Sequence, residues 1–260
     1  MCDISAAEPS IISQYSGDKN YIYAAFEGVG KPAYYSDKDL LMLDDVYLML
    51  ASRNPVSRDR VREAFNDKYG GVIGFEQWAI DKSVVKAEIK SERAFNKPAA
   101  LGIGYSMQGP RLVTTMYNEG KVISLKDAKQ VVYSYWHELF PDVAKLRDYL
   151  QLKVKKEKQL INPFGFRMTP PPRKALNYFI QSSVNGIIDM LMIEWFESAP
   201  YIEFCTIIHD EIVIECPEDK LDEAKLKLDE ALVRLNKTLN WSVNIRMGWE
   251  VLDNWYDPNH

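Results

Sequence analysis

Ile202-Glu203-Phe204-Cys205-Thr206-Ile207-Ile208-His209-Asp210-Glu211-Ile212-Val213-Ile214-Glu215-Cys216 is the stretch on which the reading of the fold turns. Two runs rich in β-branched and aromatic residues flank a polar junction, His209-Asp210-Glu211, the pattern of two antiparallel strands joined by a tight turn. On its C-terminal side, Asp219 to Leu239 reads as an amphipathic helix of mixed charge. Trp241 to Trp249 (Val243, Ile245, Met247) alternates like a closing strand. On its N-terminal side, Leu176 to Phe196 is apolar on most faces and predicts a core helix, and Leu125 to Leu152 is helix-rich around a break at Phe140-Pro141. Phe75 to Tyr105 is largely helical, Asp59 to Asn66 a short charged helix, and Asp37 to Ala51 a mostly buried one. The chain opens with a few extended residues and a helix from about Ala7. Pro9 is tolerated in its first turn, and Tyr15-Ser16-Gly17-Asp18 ends it. Helices outnumber strands and the strands are far apart in sequence, which predicts an α+β fold around a small antiparallel sheet.

The 260 residues, 47% of them hydrophobic, exclude a disulfide miniprotein or a disordered tail. With 32 basic and 37 acidic side chains the net charge is −5, so net charge alone does not hold this protein to nucleic acid. Any such site must be local, and two basic patches qualify. Lys82, Lys86, Lys90, Arg93 and Lys97 recur near one helical face, and Lys153, Lys155, Lys156, Lys158, Arg167, Arg173 and Lys174 surround a Pro-rich turn. Cys2, Cys205 and Cys216, three in number and without metal-ligand spacing, are expected as free thiols. No window has the roughly twenty apolar residues of a membrane span, and Met1 to Ser5 lacks the basic flank and apolar core of a signal peptide. A soluble protein of the cytoplasm is the expectation.

Two groups of residues carry chemistry. Asp3 leaves a strand-like start and Asp210 stands at a hairpin tip with Glu211 beside it. Brought together, such acids would suit Mg²⁺, which is held by a few carboxylates and substrate phosphates, and would suit two-metal phosphoryl chemistry. Acids at turns are ordinarily just solvated, and spacing alone leaves this open. His209 is equally open, because a histidine at a turn is usually a structural hydrogen-bonding residue. The second group is Arg93, Lys97, Leu101 and Tyr105, a row at i, i+4 spacing that would show two cations, an apolar side chain and an aromatic ring. That order fits a nucleotide: phosphates on the cations, sugar near Leu101, bases by Tyr105, with Gly102 allowing close backbone approach. An exposed basic helix end running into a buried one is the competing account.

The groups occur together and in one order. Asp3-Ile4-Ser5-Ala6-Ala7-Glu8 followed by Ser16-Gly17-Asp18 resembles the first palm motif of family A DNA polymerases, D-Y-S-x-x-E then S-G-D. Arg93 to Tyr105 resembles their fingers-helix motif, R-x3-K-x7-Y, in the K-P-x-x-L-G-x-G-Y form of bacteriophage members, and His209-Asp210-Glu211 is similar to the H-D-E motif. Asn162-Pro163-Phe164-Gly165-Phe166-Arg167, with Asn177 and Gln181, resembles the family's F-G-R turn and N-x3-Q helix. The resemblance covers nearly the whole chain.

It implies a palm and largely helical fingers: residues 1–26 the first palm motif, 27–125 the fingers, 126–260 the rest of the palm with the hairpin. The implied reaction is template-directed, Mg²⁺-dependent transfer of deoxynucleotides to a primer 3′-hydroxyl with release of pyrophosphate, by a phage replication polymerase. Two Mg²⁺ ions, replaceable by Mn²⁺, would bind Asp3, Asp210 and the Ile4 carbonyl, with Glu211 nearby. Arg93 and Lys97 would grip the triphosphate, Lys97 protonating the leaving group, and Leu101, Tyr105 and Tyr47 would complete the nucleotide site. Glu8 matches the steric gate against a ribose 2′-hydroxyl. Arg173, Asn177, Gln181, His209, Arg167 and Gly102 would meet primer–template DNA.

The chain departs from the family pattern in places. Leu101 stands for the usual Phe or Tyr, Ser106 for the Gly after the motif tyrosine, and Tyr47 about where many relatives place a histidine. Pro98 lies inside the fingers helix and should kink it or force a local adjustment. The family places its thumb and 3′→5′ exonuclease before the first palm motif, and Asp3 is two residues from the start, so the expectation is a split polymerase, with a second polypeptide supplying them, or else a truncated sequence. The alternative is a catalytically inactive polymerase-like subunit of a replication complex. A two-metal nuclease would leave Glu8 and the Arg93 row without a role, and Glu8 with Glu211 favours DNA over RNA synthesis.

Overall fold

A computed structural model describes residues 1–26, 45–69 and 85–252. Residues 37–44 and 75–84, which begin two of the expected helices, and Lys82 lie outside the described residues. The chain divides into two compact units, one of Met1–Gln14, Ile161–Met168 and Tyr178–His260, the other of Tyr15–Leu160 and Thr169–Asn177. Residues 126–160, expected with the second palm segment (126–260), cluster with the largely helical unit, as do Thr169–Asn177.

The first unit is built on a sheet. Its strands, with the ribbon strands that flank the 162–166 turn, are β1 (Cys2–Ser5), β2 (Leu160–Ile161), β3 (Arg167–Met168), β4 (Glu203–Ile208), β5 (Glu211–Glu215) and β6 (Arg246–Trp249). β4, β5, β1 and β6 lie in that order, all pairs antiparallel. Apolar residues of β1 alternate with polar ones, so Cys2 and Ile4 are buried while Asp3 and Ser5 face out. Behind the sheet run the long helix Ala175–Ser198 and the helix Leu221–Leu239. Trp195, fully buried, donates its indole N–H to the Ala224 carbonyl at 3.2 Å, and Arg234 meets Glu194 at 2.7 Å. The long helix is buried on most faces, as its composition predicts, and its exposed positions Tyr178, Gln181, Asn185, Asp189, Ile193 and Glu197 form one line. Gly186 lets Phe164 pack against the helix backbone, where a Cβ would overlap the ring. The Asn162–Phe166 turn is closed by the Asn162 side chain, whose Oδ1 accepts from the N–H groups of Phe164 and Phe166 at 3.0 and 2.9 Å.

The closing strand is shorter than its alternation predicts. Only Arg246–Trp249 pairs with β1, because the backbone before it is taken by side chains. Asn236 accepts from the Ile245 N–H at 2.7 Å and donates to its carbonyl at 2.9 Å, and Gln14 accepts from the Ser242 N–H at 3.0 Å. Those groups are then unavailable to a ladder.

The second unit is helical over its described residues: Lys19–Ala25, Val46–Ala51, Arg58–Tyr69, Lys90–Gly104, Gly109–Asn118, Leu125–Ser134 and Pro141–Glu157. Its core is apolar, with Leu48, Met49, Phe65, Ile89, Ile103, Leu112, Met116 and Phe140 fully buried. The expected break falls at Phe140-Pro141, preceded by a single π-helical turn, Tyr135–Leu139. Asp18 joins two helices of this unit. Its Oδ1 caps Lys19–Ala25 by accepting from Tyr21 N–H at 3.0 Å, and its Oδ2 accepts from Asp142 and Val143 N–H at 2.9 and 3.3 Å, at the start of Pro141–Glu157.

Candidate active site

In the sheet-bearing unit the pairing register sets Asp3 of β1 directly across from Glu211 of β5, and the Ile4 N–H donates to the Asp210 carbonyl at 3.2 Å. Residues expected from opposite ends of the sequence are thus neighbours on adjacent central strands. The β4–β5 turn has only two residues, His209 and Asp210, since Glu211 already pairs with Ile208. His209 has φ 58°, a left-handed conformation uncommon outside glycine and taken most readily by Asn, Asp and His. The Asp3 carboxyl is pushed above the usual range, first by burial, then by the negative charges of Asp210 and Glu211. Three carboxylates that repel one another invite a cation.

Among the described residues no group of three or more His, Cys, Asp and Glu side chains forms a ready-made metal cage. The donor set fits a Mg²⁺-type ion all the same, because such ions take one or two carboxylates, keep water and complete their shell with substrate phosphates. Cys2, buried beside Asp3, is no ligand candidate: burial pushes its thiol up to about 12, so it stays protonated. Glu8, in the first turn of the helix Ala7–Ser16, accepts a hydrogen bond from the Gln181 amide. Arg167 is exposed at the end of its turn.

The helical unit holds the second group. Helix Lys90–Gly104 runs unbroken through Pro98, and Lys97 and Leu101 are exposed on one face with Arg93 and Tyr105 partly so. The row expected at i, i+4 spacing therefore exists. Arg93 is anchored: its Nε donates to Asp45 Oδ2 at 2.7 Å, and its guanidinium lies 4.8 Å from the Tyr47 ring centroid. Gly102 does allow a close approach, and Met107 makes it, its side chain lying where a Cβ would sit. Ser106, which replaces a glycine of the family pattern, has φ 70° and so keeps the backbone a glycine would favour. Arg173 lines a cavity of about 590 Å³ with Lys129, Tyr133, Trp136, His137 and Arg147. Asn177 and Gln181 lie one turn apart on the helix Ala175–Ser198.

Sequence reasoning missed Asp45, Lys129 and Arg147. Asp45 carried a signal, an aspartate directly before an apolar helical run, which is an N-cap pattern. Lys129 and Arg147 carried none, because they come together only through the packing of separate helices.

The profile of DNA polymerase family A matches residues 76–257, more than half of the chain. The chain belongs to DNA polymerase family A. It is 36% identical over 104 residues to the DNA polymerase of Mycobacterium phage D29, an alignment spanning 38% of this chain and 16% of that protein. Its fold is similar to the POL domain of Pol1 from M. smegmatis, solved in complex with DNA primer-template and dNTP. The TM-score is 0.65 at 20% identity, covering 95% of this chain and 38% of that one. This family A chain thus spans well under half the length of both relatives. The match bears out the α+β class with the family's polymerase fold. Among the described residues of this family A chain, no helix is long and apolar enough to cross a membrane.

Proposed function

We propose that the chain carries the catalytic region of a phage replication DNA polymerase, transferring deoxynucleotides to a primer 3′-hydroxyl on a DNA template with release of pyrophosphate. The observation that carries this reading is the register that sets Asp3 opposite Glu211 with Asp210 at the adjoining turn. The sheet-bearing unit takes the role of palm, and the helix Lys90–Gly104 belongs to the fingers.

Asp3, Asp210 and the Ile4 carbonyl would hold two Mg²⁺ ions, with Glu211 supporting them. Bound there, Mg²⁺ makes the 3′-hydroxyl more acidic and neutralises charge on the phosphates. Arg93 binds triphosphate oxygens, and Lys97 beside it donates a proton to the departing pyrophosphate. Leu101 packs near the sugar and Tyr105 against the nascent base pair, with Tyr47 beneath Arg93. Glu8, steadied by Gln181, occupies the space a ribose 2′-hydroxyl would need. Arg173, Asn177, Gln181, His209, Arg167 and Gly102 are assigned to the primer–template, where backbone contacts position and base pairing specifies.

Primer extension with Mg²⁺ and deoxynucleotides tests the reading. Extension that is weak or absent with the isolated chain, robust with its partner, and abolished in Asp210→Asn and by chelation of Mg²⁺, is the expected outcome. The assay is run with and without co-purifying proteins, since a second polypeptide carrying thumb and exonuclease is part of the proposal. Retained DNA binding without extension under any condition would instead support a structural subunit.

A further inference from the structure

Asp45 divides one carboxylate between two tasks. Oδ1 accepts from the N–H groups of Tyr47 and Leu48 at 2.9 and 3.0 Å and so caps the helix Val46–Ala51. Oδ2 takes the Arg93 Nε–H at 2.7 Å. The Asp45 side chain is 8% exposed and that of Arg93 38%, so the buried partner is the fixed one and the cation reaches outward from it. The cap locks the carboxylate plane, and the Tyr47 ring lies against the guanidinium at 4.8 Å. A guanidinium held by Nε and by one face keeps the N–H donors of its two Nη groups in a set direction. The partner of each contact is itself ordered: Asp45 by its cap, Tyr47 by its place in the first turn of the capped helix.

We propose that Asp45 is a positioning residue that pre-orients Arg93 for the phosphates of an incoming nucleoside triphosphate. The inference rests on the assignment of Arg93 to the triphosphate and deepens it. An arginine side chain free in solvent samples many rotamers, and freezing them on binding weakens affinity; the Asp45 contact makes that ordering part of folding. The carboxylate also offsets some of the arginine's charge. This opposing effect is the smaller one, because the phosphates would meet the Nη edge, with the guanidinium between them and Asp45 and water screening the exposed side.

Asp45→Asn separates the two tasks. Asparagine caps helices as well as aspartate does, so the fold is retained. With its Oδ1 committed to the cap, its amide nitrogen faces the Arg93 Nε–H, donor against donor, and the hydrogen bond cannot form. The full chain is assayed by primer extension in the presence of its co-purifying proteins and, in parallel, by calorimetric binding of dGTP with Mg²⁺. Wild type, Asp45→Asn, Arg93→Ala and the double variant are compared, with thermal melting as the control for folding. The expected result is a KM and Kd for dGTP about tenfold higher in Asp45→Asn with kcat nearly unchanged, the ordering that one charge-assisted hydrogen bond supplies. The same substitution should have no further effect once Arg93 is alanine. An unchanged Kd in Asp45→Asn would overturn the proposal, and tighter binding would overturn it by making Asp45 a competitor of the phosphates. A wild-type chain that neither binds dGTP nor extends a primer even with the co-purifying proteins present would instead refute the polymerase reading, and this inference with it.

Discussion

Asp3 is placed by strand alternation with its carboxyl outward, next to Asp210 and Glu211, and its pKa is raised by burial and then by those two charges. A raised folded pKa means the native state binds the proton more tightly than the unfolded chain does. The charged form therefore costs stability at neutral pH. That cost is relieved as pH falls through the folded pKa towards the ordinary carboxylate value. Asp3→Asn is expected to raise the melting temperature at neutral pH, shrink this acid-side gain and abolish primer extension; a lowered melting temperature would contradict the electrostatic account. At this scale the sequence was partly legible. Asp3, Asp210 and Glu211 could be singled out as polar residues leaving strands. Their adjacency could not, since it depends on which strand pairs with which. The carboxylate of Asp45 is the converse case: its cap is written locally, whereas its contact with Arg93 crosses 48 residues.

Among the elements, helix ends and turns are governed by single polar side chains that the hydrophobic pattern does not weigh. Asp18, 2% exposed, satisfies N–H groups at the starts of two helices, Lys19–Ala25 and Pro141–Glu157. Losing a cap costs roughly 0.5–2 kcal/mol, so Asp18→Ala, which removes both, should destabilise the helical unit by about 2–3 kcal/mol in chemical denaturation. The Ser16-Gly17-Asp18 motif by itself suggests only where a helix stops. Asn236 likewise holds both backbone groups of Ile245, and Asn236→Ala should cost about 2 kcal/mol and speed amide exchange at Ile245. This pairing also explains why the alternation of Val243, Ile245 and Met247 overstates the last strand: period two gives burial of alternate side chains but does not say who takes the backbone hydrogen bonds. The helix Lys90–Gly104 was legible almost in full despite Pro98, since its apolar residues recur at helical spacing and one missing donor did not stop it.

For the whole molecule, a net charge of −5 coexists with exposed Arg167 and Arg173, so the proposed hold on primer–template depends on local cations. Removing one cation that pairs with a phosphate should reduce the slope of log K against log salt by about 0.9. Arg173→Ala is accordingly expected to weaken duplex binding and flatten its salt dependence by about one counterion, measured by fluorescence anisotropy in a salt series. An unchanged slope would remove Arg173 from the residues that meet DNA. By itself the sequence determined the α+β class, the placement of most helices, the hairpin with its polar His209-Asp210-Glu211 junction, and the family, because hydrophobic period, turn chemistry and ordered motifs are local properties of the chain. Only the tertiary structure decided the strand order β4-β5-β1-β6, which sets Asp3 beside Glu211, the anchoring of Arg93 by Asp45 and Tyr47, and the division that puts residues 126–160 with the helical unit. Those features depend on pairings between segments far apart in sequence, which are selected by the packing of the whole core rather than by any local pattern.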